Sequence, residues 1–218
     1  MQYKPDILVV QECEYGERLK FEAHLPQPND FLWFGENRHK GIGVFSFGPQ
    51  KLGLLPIHNQ ALKFILPIAV SGGAVDFTLF AIWANNPADP DGRYVAQVWK
   101  AVQEYEQLLA TNNCVLTGDF NSNSIWDRPR RIGNHSDVTQ KLANYQIHSI
   151  YHRFFGEQQG KELQPTFYLH RNLNKPYHMD FCYMTSELCD TVNRVEVGIH
   201  SDWATVSDHM PIIVDIDV

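Results

Sequence analysis

What most constrains this chain is a succession of short apolar runs, each closed by polar, glycine or proline residues. "DILVVQE" (6–12), "GIGVFSF" (41–47), "LKFILPIAV" (62–70), "VDFTLFAIWA" (75–84) and "CVLTGDF" (114–120) come first. "PTFYLHR" (165–171), "HMDFCYMT" (178–185), "VNRVEVGI" (192–199) and "HMPIIVDI" (209–216) follow. Their length and their β-branched and aromatic content mark them as strands. Helical periodicity is confined to two places. Within 93–110, Val95, Val98, Val102, Tyr105 and Leu109 share one face, with Asp91 as the expected N-cap. "SDVTQKLANYQI" (136–147) reads as a shorter helix capped by Ser136. Many strands and few helices, without βαβ alternation, predict an α/β (α+β) fold. Its architecture is two mixed β-sheets packed face to face and flanked by helices, a four-layer αββα sandwich.

With 218 residues, 44% hydrophobic and 20% charged, the chain suits one domain over 1–218. No apolar run reaches the ~20 residues of a membrane span. The N-terminal "MQYKPDILVV" lacks the pattern of a signal peptide. Cys13, Cys114, Cys182 and Cys189 form no CxxC pair, and two of them sit within strand-like runs. A reducing, cytoplasmic setting is expected, with no disulfide framework or zinc cluster. The net charge of -7 argues against attachment to nucleic acid by bulk positive charge. It leaves room for an enzyme that meets a phosphate through a bound cation.

Several of the runs end in, or lead to, residues able to bind a cation or relay a proton. They are Glu12 in "LVVQECE", Asp119 and Asn121 in "LTGDFNS", Asp180 in "HMDFCYM", and Asp208-His209 in "SDHMP". Each has an ordinary reading alone: a solvated carboxylate, an Asx turn, a local cap. The set and its order carry the argument.

That set resembles the endonuclease/exonuclease/phosphatase superfamily in its "QE", "GDFN", "HMD" and "SDHMP" motifs, which span Gln11 to Pro211. "FAIWANNP", "GRYVAQVWKAV", "SNSIWDRPRR" and "YHMDFCYM" are similar to a group of bacterial members of unassigned substrate. The resemblance implies phosphoester hydrolysis with Mg2+ or Mn2+. Hard oxygen ligands hold such a cation while leaving positions for phosphate and water. Glu12 is then the leading metal ligand. Asp119, Asn121 and Asp208 complete one or two metal positions or orient the attacking water. His209 is the general base or phosphate partner, and Asp180 fixes its tautomer. Strand alternation is expected to send Asp119 and Asn121 to one side and Phe120 inward.

The chain departs from the family pattern in places. Where relatives carry a His or Tyr before the long helix, this sequence has "FAIWANNP", which makes Trp83 or Asn85 the candidate substrate contact. Trp83 also reads as core, and Asn85 as a loop residue. His178 stands in place of the family's Arg, facing phosphate or only solvent. "DRPRRIGNH" places Arg128, Arg130 and Arg131 just after the GDFN turn, as a phosphate clamp or a solvated loop. His135, His148, His152 and His170 show no metal-ligand spacing and read as surface or satisfied side chains.

The leading function is divalent-metal-dependent phosphodiester cleavage in nucleic acid. The rivals are a phosphatase or phosphodiesterase for a small or lipid-headgroup substrate, and an inactive nucleic-acid-binding relative. The resemblance also implies a strand, bearing an Asn, ahead of "KPDILVVQE", and this sequence starts at that point. A truncated chain is therefore expected, with the N-terminal strand missing. The open sheet edge this leaves invites a homodimer.

Overall fold

The protein is described by a computed structural model, covering residues 3–16, 19, 25–85, 94–110 and 113–217. The elements run β1 (Ile7–Cys13), β2 (Asp30–Asn37), β3 (Lys40–Ser46), β4 (Lys51–Leu54), β5 (Ile65–Ser71), β6 (Phe77–Trp83), α1 (Val95–Glu104), α2 (Glu106–Leu109) and β7 (Cys114–Asp119). They continue with α3 (His135–Ala143), β8 (Ile147–Ser149), α4 (Ile150–Phe155), β9 (Phe167–Tyr168), β10 (Pro176–Tyr177), β11 (Asp180–Thr185), α5 (Ser186–Cys189), β12 (Val192–Val197), α6 (His200–Trp203) and β13 (Ile212–Ile216).

One β-layer is a six-stranded mixed sheet in the order β4-β5-β6-β7-β11-β8. Its β6–β7 pair is parallel and its β7–β11 pair antiparallel. The facing layer is in two antiparallel pieces, β1-β3-β2 and β12-β13. Both pieces pack on the same face of the large sheet. Ile7, Val9, Ile42 and Val44 join Val195 and Val214 in one core with Leu66, Ile68, Leu79, Val115 and Met184. Against the other face of the large sheet, α1, α2 and α3 set Val98, Val102, Tyr105, Leu109, Val138 and Leu142 on Ile65, Phe80, Leu116, Phe181 and Tyr183. This is the face-to-face sandwich with flanking helices that the run pattern predicts.

Among the described residues, β1 pairs only with β3, and β13 only with β12. Tyr3, ahead of β1, hydrogen-bonds Glu196 on β12 and so links the two pieces. Gln11 links β1 to the large sheet, because its Nε2 donates to the Ile82 carbonyl at 3.2 Å. That crossing requires Gly118, whose φ is 134°. A Cβ there would lie 2.0 Å from the Ile82 oxygen and 2.5 Å from Gln11 Nε2.

Details depart from expectation. The long helix bends at Tyr105 (φ −96°, ψ 22°) into α1 and α2, and its expected cap, Asp91, lies outside the described residues. The second helix starts one residue before Ser136, after the cap residue Asn134. Asp137 accepts the N–H groups of Gly133 and Asn134 at 2.9 Å, and Asp127 those of His135 and Ser136 at 2.9 and 3.1 Å. "PTFYLHR" is a strand only at Phe167–Tyr168. It then turns sharply, with His170 and Arg171 at φ 56° and 58°. All four cysteines are free and buried. Among the described residues, no helix is long and apolar enough to cross a membrane.

Candidate active site

The C-terminal end of β7 lies beside the start of β11, and the register sets Asp119 opposite Asp180. The parallel neighbour β6 ends there too, with Trp83 level with Asp119. Phe120, fully buried, anchors the turn against Phe181 and Tyr183. Asn121 reaches the same side as Asp119 by a turn rather than by strand alternation. Its φ is 48°, and Asp119 accepts both its backbone N–H and its side-chain amide at 2.7 Å.

His209 comes from the segment leading into β13. Tyr168 N–H donates to the Asp208 carbonyl at 2.8 Å, and Met210 N–H to the Thr166 carbonyl at 2.7 Å. Thr166 also fixes β11, because its Oγ1 accepts the N–H groups of Met179 and Asp180 at 3.0 Å. The two segments therefore share one brace. His209 Nδ1 lies 2.9 and 3.1 Å from the two Asp180 carboxylate oxygens.

Ligating atoms of Asp119, Asp180 and His209 all lie within 4.8 Å of one another. The electrostatics follow from this crowding. Burial first, and then the Asp180 charge, push the Asp119 carboxyl up to about 8. Burial pulls His209 down, but the charge and hydrogen bonding of Asp180 outweigh it and raise the ring to about 9. Two carboxylates crowded beside an imidazole, one of them forced towards its neutral form, suit a hard divalent cation that would hold both ionised.

The other expected site residues divide. Glu12, expected as the leading metal ligand, is outside this cluster. It sits in a β-bulge at φ 57°, which breaks the alternation of β1, and its carboxylate pairs with Lys40 Nζ at 2.8 Å. Its charge still reaches Asp119. The Asp208 side chain is half-buried and outside the cluster, acting on His209 through its charge. Trp83 is core, buried and packed on Phe64 at 4.7 Å. Asn85 is half-buried, next to Ala84, whose N–H donates to the Asp119 carbonyl at 2.8 Å. His178 does not face solvent. It is buried, with Nδ1 2.7 Å from the Gln164 carbonyl and its ring on Tyr151. Arg128, Arg130 and Arg131 are exposed. Asn134 braces their loop by donating to the carbonyls of Arg128 and Arg131 at 3.0 Å. His135 and His152 are satisfied, through Ser122 at 2.8 Å and Glu162 at 3.0 Å respectively.

Several neighbours of the cluster have no signal in the sequence. From His209 a row of rings leads outward: Phe167 at 4.7 Å, then Tyr177 at 6.4 Å, then Trp126 at 5.3 Å. Trp126 is 41% exposed. Rings so far apart in sequence are joined only by the fold. The "PTF" strand is the sole trace of Thr166 and Phe167 in the sequence.

The model of the Endonuclease/Exonuclease/phosphatase family matches residues 1–209. The chain belongs to that family. Among solved structures, an AP endonuclease from Archaeoglobus fulgidus is similar at TM-score 0.70 and 18% identity, over 98% of this chain and 90% of that one. A 3'-5' exonuclease (NExo) from Neisseria meningitidis is similar at 0.64 and 18%, over the same shares. The endonuclease domain of TRAS1, a telomere-specific non-LTR retrotransposon, is similar at 0.55 and 16%, over 98% and 79%. At such identities the likeness is one of fold. No curated protein sequence matches the chain. Family membership carries phosphoester hydrolysis as its activity class.

Proposed function

We propose that this chain is a divalent-metal-dependent phosphodiesterase acting on nucleic acid. The observation that carries the reading is the convergence of Asp119, Asp180 and His209 within 4.8 Å, beside a row of rings whose outer member, Trp126, is exposed. A bound Mg2+ or Mn2+ would supply positive charge for the developing phosphorane and the leaving oxygen. Asp119 and Asn121 would hold that cation, with Glu12 and Asp208 as further oxygen donors. Asp180 fixes the His209 tautomer and supports its positive charge. The ring is thereby suited to take a proton from the attacking water or to hold a phosphate oxygen. Phe167, Tyr177 and Trp126 offer stacking faces to unpaired bases, and Asn85, Arg128, Arg130 and Arg131 offer contacts to the backbone. The similar 3' phosphatase NExo from Neisseria is described as bound to a product DNA hairpin, which supports a nucleic-acid substrate.

Residues 1–218 would act as one domain. The buried free thiols suit a reducing compartment such as the cytoplasm. The edges of β1 and β13, each with one neighbour among the described residues, suit a homodimer, which a monomeric mass in sedimentation would overturn.

The test is a panel of single-stranded, duplex and abasic DNA, RNA and small phosphoesters with Mg2+ and Mn2+. Cleavage of DNA or RNA, lost in chelator and lowered ~10²–10⁴-fold by His209→Ala, is the expected result. Turnover of small phosphoesters alone would transfer the function to that substrate class.

A further inference from the structure

Lys40 opens β3, just past the turn that joins it to β2. Its stem carries the ammonium to the end of β1, where Nζ lies 2.8 Å from Glu12 Oε1 and 5.5 Å from the centre of the Trp83 ring. Trp83 is level with Asp119 across the β6–β7 pair. The positive charge therefore stands over the end of β6 that lies level with Asp119. Glu12 faces Lys40 because of its left-handed backbone, a conformation costly for a side chain that gains nothing by it. The Glu12 side chain is 58% exposed. An ion pair so exposed is worth only about 0–1 kcal/mol, so a divalent cation can take its place.

We propose that Lys40 exchanges partners. It holds Glu12 until a divalent cation claims that carboxylate, and its freed ammonium then binds a phosphate of the substrate. This rests on the nucleic-acid reading above. A compact ammonium on a flexible stem suits both positions, and lysine is a common point-charge binder of phosphate. The Trp83 face provides a fixed platform under the stem during the exchange.

The test compares wild type, Lys40→Met and Lys40→Arg. Mn2+ binding is measured by electron paramagnetic resonance. Binding of a fluorescein-labelled single-stranded DNA oligonucleotide is measured by anisotropy with Ca2+ in place of Mn2+. Thermal melts confirm that the variants fold, as expected for an exposed pair. Lys40→Met should bind Mn2+ up to about 5-fold more tightly, the reverse of a damaged metal site. It should bind the oligonucleotide more weakly, with a salt slope smaller by about one unit. Lys40→Arg, which keeps the charge, should bind it as wild type does. Unchanged or weaker Mn2+ binding in Lys40→Met overturns the competition. Tighter Mn2+ binding with unchanged oligonucleotide binding overturns the exchange. If wild type binds Mn2+ but no oligonucleotide, the nucleic-acid reading and the phosphate half of the exchange fail together. The Mn2+ result then decides the hold on Glu12 by itself.

Discussion

β11 is buried at every residue from Asp180 to Thr185 and has a partner on each side, β7 and β8. Among the described residues β13 has one partner, β12, and none of its residues is fully buried. β1 resembles β13: Ile7 to Val10 are apolar but only half-buried. The candidate site draws on both kinds of strand. Asp119 and Asp180 come from the closed sheet and meet in register. Glu12 comes from the open-edged layer and is turned to Lys40. His209 enters from that same layer but is held in place by Asp180 and the Thr166 brace. Where side chains must converge, the closed sheet supplies fixed positions and the open layer needs added ties.

The largest expected contrast is in stability. Phe181→Ala, in the core under the helices, should cost about 3–5 kcal/mol in urea denaturation. Val9→Ala on β1 should cost about 1 kcal/mol, since its methyl groups are already partly wet. Equal losses would break the comparison between the layers.

A saturating divalent cation should come next. At roughly a hundredfold excess over its dissociation constant it should add about 2.7 kcal/mol to unfolding free energy. Hydrogen exchange should show the added protection at β1 and at the segment before β13 rather than along β11. Uniform protection would mean that the two layers already move as one.

The pH dependence in chelator should be smaller and downward. His209 is raised above its unfolded value, so its contribution is fully present below about 6.5 and is lost as pH rises through about 9. The Asp119 carboxyl, also raised, acts in the same direction between about 4 and about 8. Melting temperature should therefore fall from neutral pH to about pH 9. Asp180→Asn should flatten that fall and move the NMR titration of His209 to lower pH. A His209 midpoint unmoved by Asp180→Asn would show that Asp180 does not hold the ring.

The smallest effects should come from the arginine loop. Replacing Arg128, Arg130 or Arg131 singly should lower the salt slope of oligonucleotide binding by about one unit per contact and leave stability unchanged. An unchanged slope would make the loop a solvated surface.

Much of this is legible in the residues. β5, β6, β7 and β11 announce themselves because strands buried on both faces are apolar throughout. β2, β4 and β8 carry no such signal. They are short or mixed in polarity, and their pairing is decided by neighbours remote in sequence. In the site, Asp119, Asn121, Asp180 and His209 follow from motif order. The direction of Glu12 does not, because a bulge is a backbone event without a residue signature. That His178 is buried rather than solvent-facing is not legible, because Tyr151 and Phe181, which enclose it, meet it only through the fold. Lys40, Thr166 and the aromatic row depend on tertiary contact in the same way.

The tie between His209 and Asp180 spans 29 residues of chain, and that between Gln11 and Ile82 spans 71. Contacts of such separation close late in folding, after local turns and hairpins have formed. During synthesis the His209 segment emerges after β7 and β11. An unfinished chain can carry Asp119 and Asn121 at the end of β7, but it cannot yet carry the histidine dyad. The cluster of Asp119, Asp180 and His209 is thus closed by the last of its three residues to be made.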